Sequence, residues 1–362
     1  MKYRVAFLSV VPSPYQRDIF AALARRDDVD LRVHYLEASA PDSPWPGKPL
    51  PAYSEILPGF WFPIGPARCH VNFPLPDFRD RDLVVLNTLM SLTAQYLMRI
   101  GLHRKPWIFW GERLANRPPG RRDALHNLLT APLHDASAIV GIGSLADRQY
   151  SARFPGPRHY NIPYHCDLDA FLAAPRPPRD PADLTFLFCG QMIARKGLDH
   201  LLAAFATIAA RHPRARLLLA GRQAELPALL APLPESLRAR IEYAGFQPPE
   251  ALPALFARAD VFILPSRYDG WGVVVNQAIG AGLPVICSDA VGAGHDLVGE
   301  GINGLRFPAG DVPALTAAME RFAADPGLAL QWGAASRDKA AAWLPDCGAA
   351  KWVDVFREVL AR

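Results

Sequence analysis

Short apolar runs alternate with amphipathic stretches along almost the whole chain, and this alternation restricts the fold more than any other feature. YRVAFLSVV is followed by the helical RDIFAALARR and then by LRVHYLE. DLVVLN, SLTAQYLMRIGL, PWIFWG, a helical stretch over 121–135 and ASAIVGIG continue the series. Near-continuous apolar strands joined by helices belong to a parallel sheet covered on both faces. The segment LAAPRPPRDPAD (172–183) then interrupts with four prolines and no periodicity, the composition of a linker. A second series follows: LTFLFCG, GLDHLLAAFATIAARH, ARLLLAG, a helix near 225–240, IEYAG, the helix PEALPALFARA, DVFILPS, VVVNQAIGAG and PVICS. The expectation is α/β, with two doubly wound Rossmann-like domains over 1–171 and 184–343. A terminal segment over 344–362, in a region carrying Trp343, Trp352 and Phe356, is expected to cross back onto the first domain. Ligands of open α/β sheets bind at the carboxyl ends of the strands, here expected in a cleft between the domains.

Length supports two domains, because 362 residues exceed one ordinary core. Half the residues are apolar and a fifth charged, the balance of a soluble globular chain. The net charge of +4 is mild and no block of like charges occurs, which argues against a nucleic-acid arm. The five cysteines are scattered without a CxxC and read as reduced thiols of a cytoplasmic protein. No apolar stretch reaches 18 residues, so no membrane span is expected. The basic, apolar N-terminus reads as a first buried strand rather than a signal peptide, because its run is short and stops at Pro12.

Three stretches in the second half carry polar groups where strands end. CGQMIARKG (189–197) joins a strand to a helix, so Gln191, Arg195 and Lys196 stand where helix N–H groups favour a phosphate; a solvated turn is the plain alternative. It is neither a Walker A loop nor a GxGxxG. In DGWG (269–272), Gly270 and Gly272 let the backbone approach a ligand closely, and Asp269 offers an acceptor for hydroxyl groups; alternatively Asp269 caps the next helix. Asn276 and Gln277 fall on the first turns of that helix, as ligand contacts or as structural amides.

The ordered combination of these stretches with the turn at Gly245-Phe246, GAGLPVICSDAVGAGHDLV and EGINGLRF resembles the nucleotide-sugar half of the retaining glycosyltransferases of family 4, which have the two-domain GT-B fold. The likeness covers about 185–310. It departs from the pattern where two glutamates spaced by seven residues become Asp269 and Gln277, and where a Gly-Arg becomes Gly190-Gln191; Asp296 stands for another family acid. The resemblance implies a nucleoside-diphosphate sugar as donor substrate, with no cofactor and no metal. Asp269 would meet donor-sugar hydroxyls, and the amides of Gly270, Trp271, Gly272 and Val273 would meet sugar or phosphate oxygens. Gln277 would hold the ribose, Asn276 would lie beside it, Lys196 and Arg195 would neutralise the diphosphate, and Gly245 and Phe246 would line the base. It further implies a glycan or lipid-linked acceptor, and with it a peripheral contact with the inner membrane face.

The first half says less. Tyr15, Gln16 and Arg17 follow the first strand and are expected on the acceptor side. Glu112, in PWIFWGERLANR, is the candidate to meet sugar or acceptor where the family commonly has a histidine; an ion pair with Arg113 or Arg117 is the alternative. Arg17, Arg25 and Arg26 belong to a solvated helix face or, alternatively, meet an anionic lipid or phosphate. The ten histidines show no HExxH, and a zinc site at His165-Cys166-Asp167 is not expected. A dinucleotide oxidoreductase would need GxGxxG after the first strand, and VVPSPYQ has no glycine. A two-domain sugar-nucleotide epimerase and a non-catalytic nucleotide-sugar-binding protein remain as rival readings, the latter resting on the Asp269 and Gln277 replacements.

Overall fold

The computed structural model describes residues 2–39, 49–65, 67–114, 122–178, 180 and 182–361. The chain divides into two compact units, Met1–His165 with Pro345–Arg362, and Cys166–Leu344.

In the first unit seven strands form one parallel sheet: β1 (Tyr3–Ser9), β2 (Val29–Tyr35), β3 (Ser54–Ile56), β6 (Leu83–Leu86), β7 (Trp107–Gly111), β8 (Ala138–Gly141) and β9 (Arg158–Asn161). Between β3 and β6 the chain makes a separate antiparallel hairpin, β4 (Gly59–Ile64) and β5 (Ala67–Asn72). The sheet order is β3-β2-β1-β6-β7-β8-β9, so the chain winds outward from β1, returns beside it at β6, and winds out the other way. LVVL, WIFWG and AIVG are buried throughout, as strands covered on both faces must be. The helix Pro345–Leu360 completes this core. Its Trp352 meets Phe7 at 5.2 Å and Trp110 at 5.4 Å, both edge-on. The Tyr160 hydroxyl donates to Glu358 at 2.6 Å, and Arg25 pairs with Asp346 at 2.7 Å. Arg26 pairs with Asp28, so both helix-face arginines are engaged within the fold.

The second unit holds β10 (Leu184–Cys189), β11 (Ala215–Ala220), β12 (Ile241–Tyr243), β13 (Val261–Leu264), β14 (Val285–Ser288) and β15 (Gly304–Phe307). Their order is β12-β11-β10-β13-β14-β15, all parallel. Two mononucleotide halves back to back give this order, with the switch between β10 and β13.

Several expectations need correction. The units divide at 165/166 rather than in the proline-rich 172–183, which lies within the second unit. Phe171 stacks edge-on with Phe256 at 5.5 Å, Arg176 donates to the Gly282 carbonyl at 2.7 Å, and Arg337 donates to the Leu172 carbonyl. These contacts, with the short helix Asp169–Ala173 that runs into it, hold the segment to the second unit. Trp343 also stays in the second unit, stacked on Trp271 at 5.9 Å. The helix near 225–240 is two short helices, Leu226–Leu230 and Glu235–Arg238, because Pro232 follows the C-cap of the first and cannot continue it, while Pro234 takes the N-cap position of the second. The stretch after Ser91 runs Leu92–Tyr96 as α-helix and widens to a π-turn over Leu97–Gly101.

Candidate active site

Strands β10 and β13 are neighbours, so the loops that leave their carboxyl ends are neighbours too, and the residues singled out from sequence meet there. The loop after β10 carries Gln191, Arg195 and Lys196, and the loop after β13 carries Asp269. Lys196 Nζ lies 2.5 Å from Asp269 Oδ2. Arg195 Nη1 donates to the Tyr268 carbonyl at 3.0 Å and stands 4.0 Å from Asp269 Oδ1. Both partners of the close pair are largely buried, with 14% and 12% of their side chains exposed, so their attraction is screened less than a surface pair's.

Sequence fixes this approach. Gly197 turns the chain with φ +70°, and a Cβ there would collide with the Pro265 carbonyl oxygen, so only glycine lets the two loops close. The Arg267 amide then donates to the Arg195 carbonyl at 2.8 Å. Its guanidinium clasps Asp199 at 2.6 Å, holding that carboxyl below its usual range. A third loop, after β14, is bound to the same turn: the Asp269 amide donates to Ala290, and the Gly292 and Ala293 amides donate to Asp269 and Trp271 carbonyls. Gly272 takes φ +93°, closed to most side chains, and directs the chain into the helix Val274–Gly280.

The other candidates divide. Gln277 is partly exposed in the first turn of that helix, and Gly272 and Val273 are partly exposed just before it. Gly245, with φ +75°, and Phe246, 44% exposed, follow β12 at the same carboxyl edge of the sheet. Asn276 is not a surface amide. It is wholly buried, and its Oδ1 accepts the Trp271 indole N–H at 2.8 Å, a bond that anchors the turn from inside. The Trp271 side chain is likewise buried, leaving only its backbone for any ligand. Gly270 is buried as well. Asp296 is half-buried and raises the pKa of Lys339, which burial lowers on balance.

In the first unit Gln16 is buried and not directed at a ligand. Its Nε2 donates to Asn87 at 2.7 Å, and Asn87 in turn donates to the Trp110 carbonyl at 2.6 Å. These bonds tie the helix Pro14–Ala24, which follows β1, to the loop after β6 at the switch point of that sheet. Tyr15 packs on Tyr164 at 4.6 Å, and Arg17 donates to the Pro49 carbonyl at 2.8 Å. Glu112 is exposed at the carboxyl end of β7, its carbonyl accepting the Tyr150 hydroxyl; Arg117 lies outside the described residues. His165 is buried with Nδ1 against the Pro163 carbonyl, and burial pushes its pKa down to about 4. All five cysteines are free, and burial pushes the Cys189 and Cys287 thiols up to about 12. Among the described residues no group of three or more His, Cys, Asp or Glu side chains is placed to hold a metal ion, and no helix is long and apolar enough to cross a membrane.

Sequence reading missed the Arg267–Asp199 clasp, although Ser266-Arg267 immediately precedes the singled-out Asp269. It also missed Glu37, Arg68 and His70, which come together after β2 and on β5, Arg68 lying 2.6 Å and His70 3.2 Å from Glu37. A cavity of about 420 Å³ opens at the opposite, amino ends of β10 to β12, lined by Thr185, Arg216, Arg240 and Glu242 among others. Ligands of such sheets bind at the carboxyl ends, so the Lys196–Asp269 edge is the better candidate.

The family model for glycosyl transferases group 1 matches residues 174–339, within the second unit. Over 240 residues the chain is 28% identical to an exopolysaccharide phosphotransferase of Streptomyces coelicolor, covering 65% of this chain and 24% of that protein. It is 32% identical over 169 residues to a glycogen synthase of Mycobacterium tuberculosis, covering 46% of this chain and 40% of that one. The match thus spans well under half the length of either curated relative. Among solved structures, Anabaena HepE in complex with UDP superposes with a TM-score of 0.73 at 16% identity, covering 99% of this chain and 100% of that one. The fold is therefore GT-B, with two Rossmann-like units; the alternation of elements led one to expect the two units, and the resemblance the GT-B fold.

Proposed function

We propose that this protein is a glycosyltransferase that moves a sugar from a nucleoside-diphosphate sugar to a glycan or lipid-linked acceptor, with retention of anomeric configuration. One observation carries the reading: a cation and a carboxylate from two different loops meet at the switch point of the second sheet, where nucleotides bind in such folds. The match to the group 1 family model over the same residues supports it.

In this mechanism Asp269 accepts from donor-sugar hydroxyls, and Lys196 and Arg195 face the diphosphate. Amides of Gly272 and Val273 add oriented dipoles, Gln277 takes the ribose, and Gly245 and Phe246 border the base. As the anomeric carbon–oxygen bond breaks, positive charge grows on the sugar and negative charge on the leaving diphosphate. Fixed positive charge at the phosphate stabilises that transition state with no need for a metal. The acceptor hydroxyl forms the new bond on the face the diphosphate leaves, and its proton passes to a diphosphate oxygen. No enzyme carboxylate acts as nucleophile, unlike the retaining glycosidases. Glu112 is proposed to orient the sugar or acceptor. The protein works in the cytoplasm, with peripheral access to a membrane where the acceptor is lipid-linked.

The test is conversion of a donor panel by wild type, Lys196→Ala and Asp269→Ala, with free nucleotide and product identified. Wild type should release nucleoside diphosphate, and each variant should lose about 10²–10³-fold in rate. Release of nucleoside monophosphate with a phosphorylated acceptor would make the protein a phosphotransferase instead. Undiminished transfer in both variants would remove the site assignment.

A further inference from the structure

In the first unit the hairpin β4–β5 presents a strand with no interior. All six residues of GFWFPI are exposed, among them Phe60 at 64%, and Phe73 just beyond the hairpin is 81% exposed. Side chains alternate along a strand, so Phe60, Phe62 and Ile64 leave one face and Trp61 the other. Trp61 is overlaid by the Arg68 guanidinium, 3.9 Å from the ring centroid. The hairpin is fastened to the helical segment 92–101. The Asn72 amide donates to Thr93 Oγ1 at 2.9 Å, and Thr93 donates back to the Asn72 side chain at 3.1 Å. That segment repeats the pattern: Leu92, Tyr96 and Ile100, one per turn, are all exposed. Exposed apolar side chains gathered on two elements bonded to each other mark an interaction site.

Charge identifies what it meets. Residues 57–76 and 83–111 contain no Asp or Glu, although the chain has 35, while they contain Arg68, Arg99, Arg104 and Lys105. Acids that border these runs are paired, Glu55 with His34 at 2.9 Å, Asp77 with Arg79 at 2.6 Å and Asp82 with Arg4 at 2.6 Å, and Glu37 faces Arg68 and His70. His103 and Arg104 are exposed at the end of the helical segment. Aromatic rings beside basic groups, on elements that carry no acid of their own, match the boundary of a bilayer carrying anionic headgroups, where rings sit at headgroup depth and cations meet phosphate. A second copy of the chain fits less well. Pro63 removes one edge N–H that strand pairing would use, and the exposed Arg104 would face its own kind.

We propose that the hairpin Gly59–Asn72, with Phe73 and the stripe Leu92–Tyr96–Ile100, is an interfacial anchor that seats the first unit on an anionic lipid surface. It stands apart from donor chemistry, since vesicle binding can succeed where transfer fails.

The experiment is co-sedimentation of the full chain with vesicles of phosphatidylcholine alone and of phosphatidylcholine mixed with phosphatidylglycerol. Wild type, Phe60→Ser/Phe73→Ser and Arg104→Gln are compared, with near-UV circular dichroism as the fold control. Wild type should bind the anionic vesicles preferentially and less well as salt is raised. The double substitution should weaken binding about tenfold or more, and Arg104→Gln about fivefold on anionic vesicles only. A nitroxide on Phe60→Cys should become shielded from aqueous quencher on vesicle addition. Failure of wild type to bind, or binding indifferent to the double substitution, overturns the proposal. So does a concentration-dependent dimer in ultracentrifugation that the double substitution abolishes, since the covering partner is then a second copy.

Discussion

Gln277 stands where the resemblance places an acid for the ribose diol, and the exchange has a definite physical meaning. A carboxamide accepts through its oxygen and donates through its nitrogen, so two bonds to a diol survive while the stronger, charge-assisted acceptor is lost. Restoring the acid by Gln277→Glu should therefore leave the affinity for the nucleoside diphosphate that wild type binds unchanged or raise it severalfold, read by calorimetric titration. A loss of about tenfold or more, 1.4 kcal/mol, would remove Gln277 from the ribose. The same residue types show why part of the site could be read and part could not. Lys196 and Asp269 follow apolar strands directly, and strand ends in a parallel sheet converge on one edge whatever the helices do. Asn276 and Gln16 follow the same rule in sequence, yet both amides are spent inside the fold, one on Trp271 and one on Asn87. An amide does not reveal which way it faces until the turn before it is known. Here that turn is set by Gly272 and by a third loop more than fifteen residues away.

Elements whose two faces are both buried were legible, because nothing but an apolar run can fill them; β6, β7, β8, β13 and β14 are of this kind. The hairpin β4–β5 was not, since a strand exposed on both faces carries no alternation to detect. The proline-rich 172–183 misled in the opposite sense: lack of periodicity describes the backbone, while docking depends on Phe171 and Arg176 finding partners far along the chain. The helix Pro345–Leu360 is the element whose placement turns most on one residue. At Gly348 a Cβ would come 2.6 Å from Ile19 Cδ1 and 2.8 Å from the His165 ring. Gly348→Ala should gain helix propensity yet lose more by overpacking, a net cost of about 1–3 kcal/mol seen as a lower urea midpoint. A raised midpoint would mean that the contact between this helix and its unit is looser than described.

The whole molecule contains two cores of similar plan, and their titratable groups differ. In the first unit burial lowers the pKa of His34 and pushes that of His165 down from 6.5 to about 4. A histidine kept neutral by the fold binds its proton more readily when unfolded. The stability it contributes is fully present above pH 6.5, falls as pH drops through the window from 6.5 to 4, and is gone below. For His165 alone, moving from pH 7 to 5 costs on the order of 2 kcal/mol at 1.36 kcal/mol per unit. The buried thiols of the second unit, Cys189 and Cys287, stay protonated throughout this range. Hydrogen exchange read by peptide, corrected for the intrinsic rate, separates the two responses. Acidification to pH 5 should lower protection around Phe7, Trp110 and Trp352 while sparing β10, β13 and β14. A nucleoside diphosphate at a hundredfold its dissociation constant should add up to about 2.7 kcal/mol of protection, concentrated over 190–197 and 265–280. Equal acid loss in both units would deny His165 its part. Nucleotide protection confined to the first unit would move the donor site away from Lys196 and Asp269.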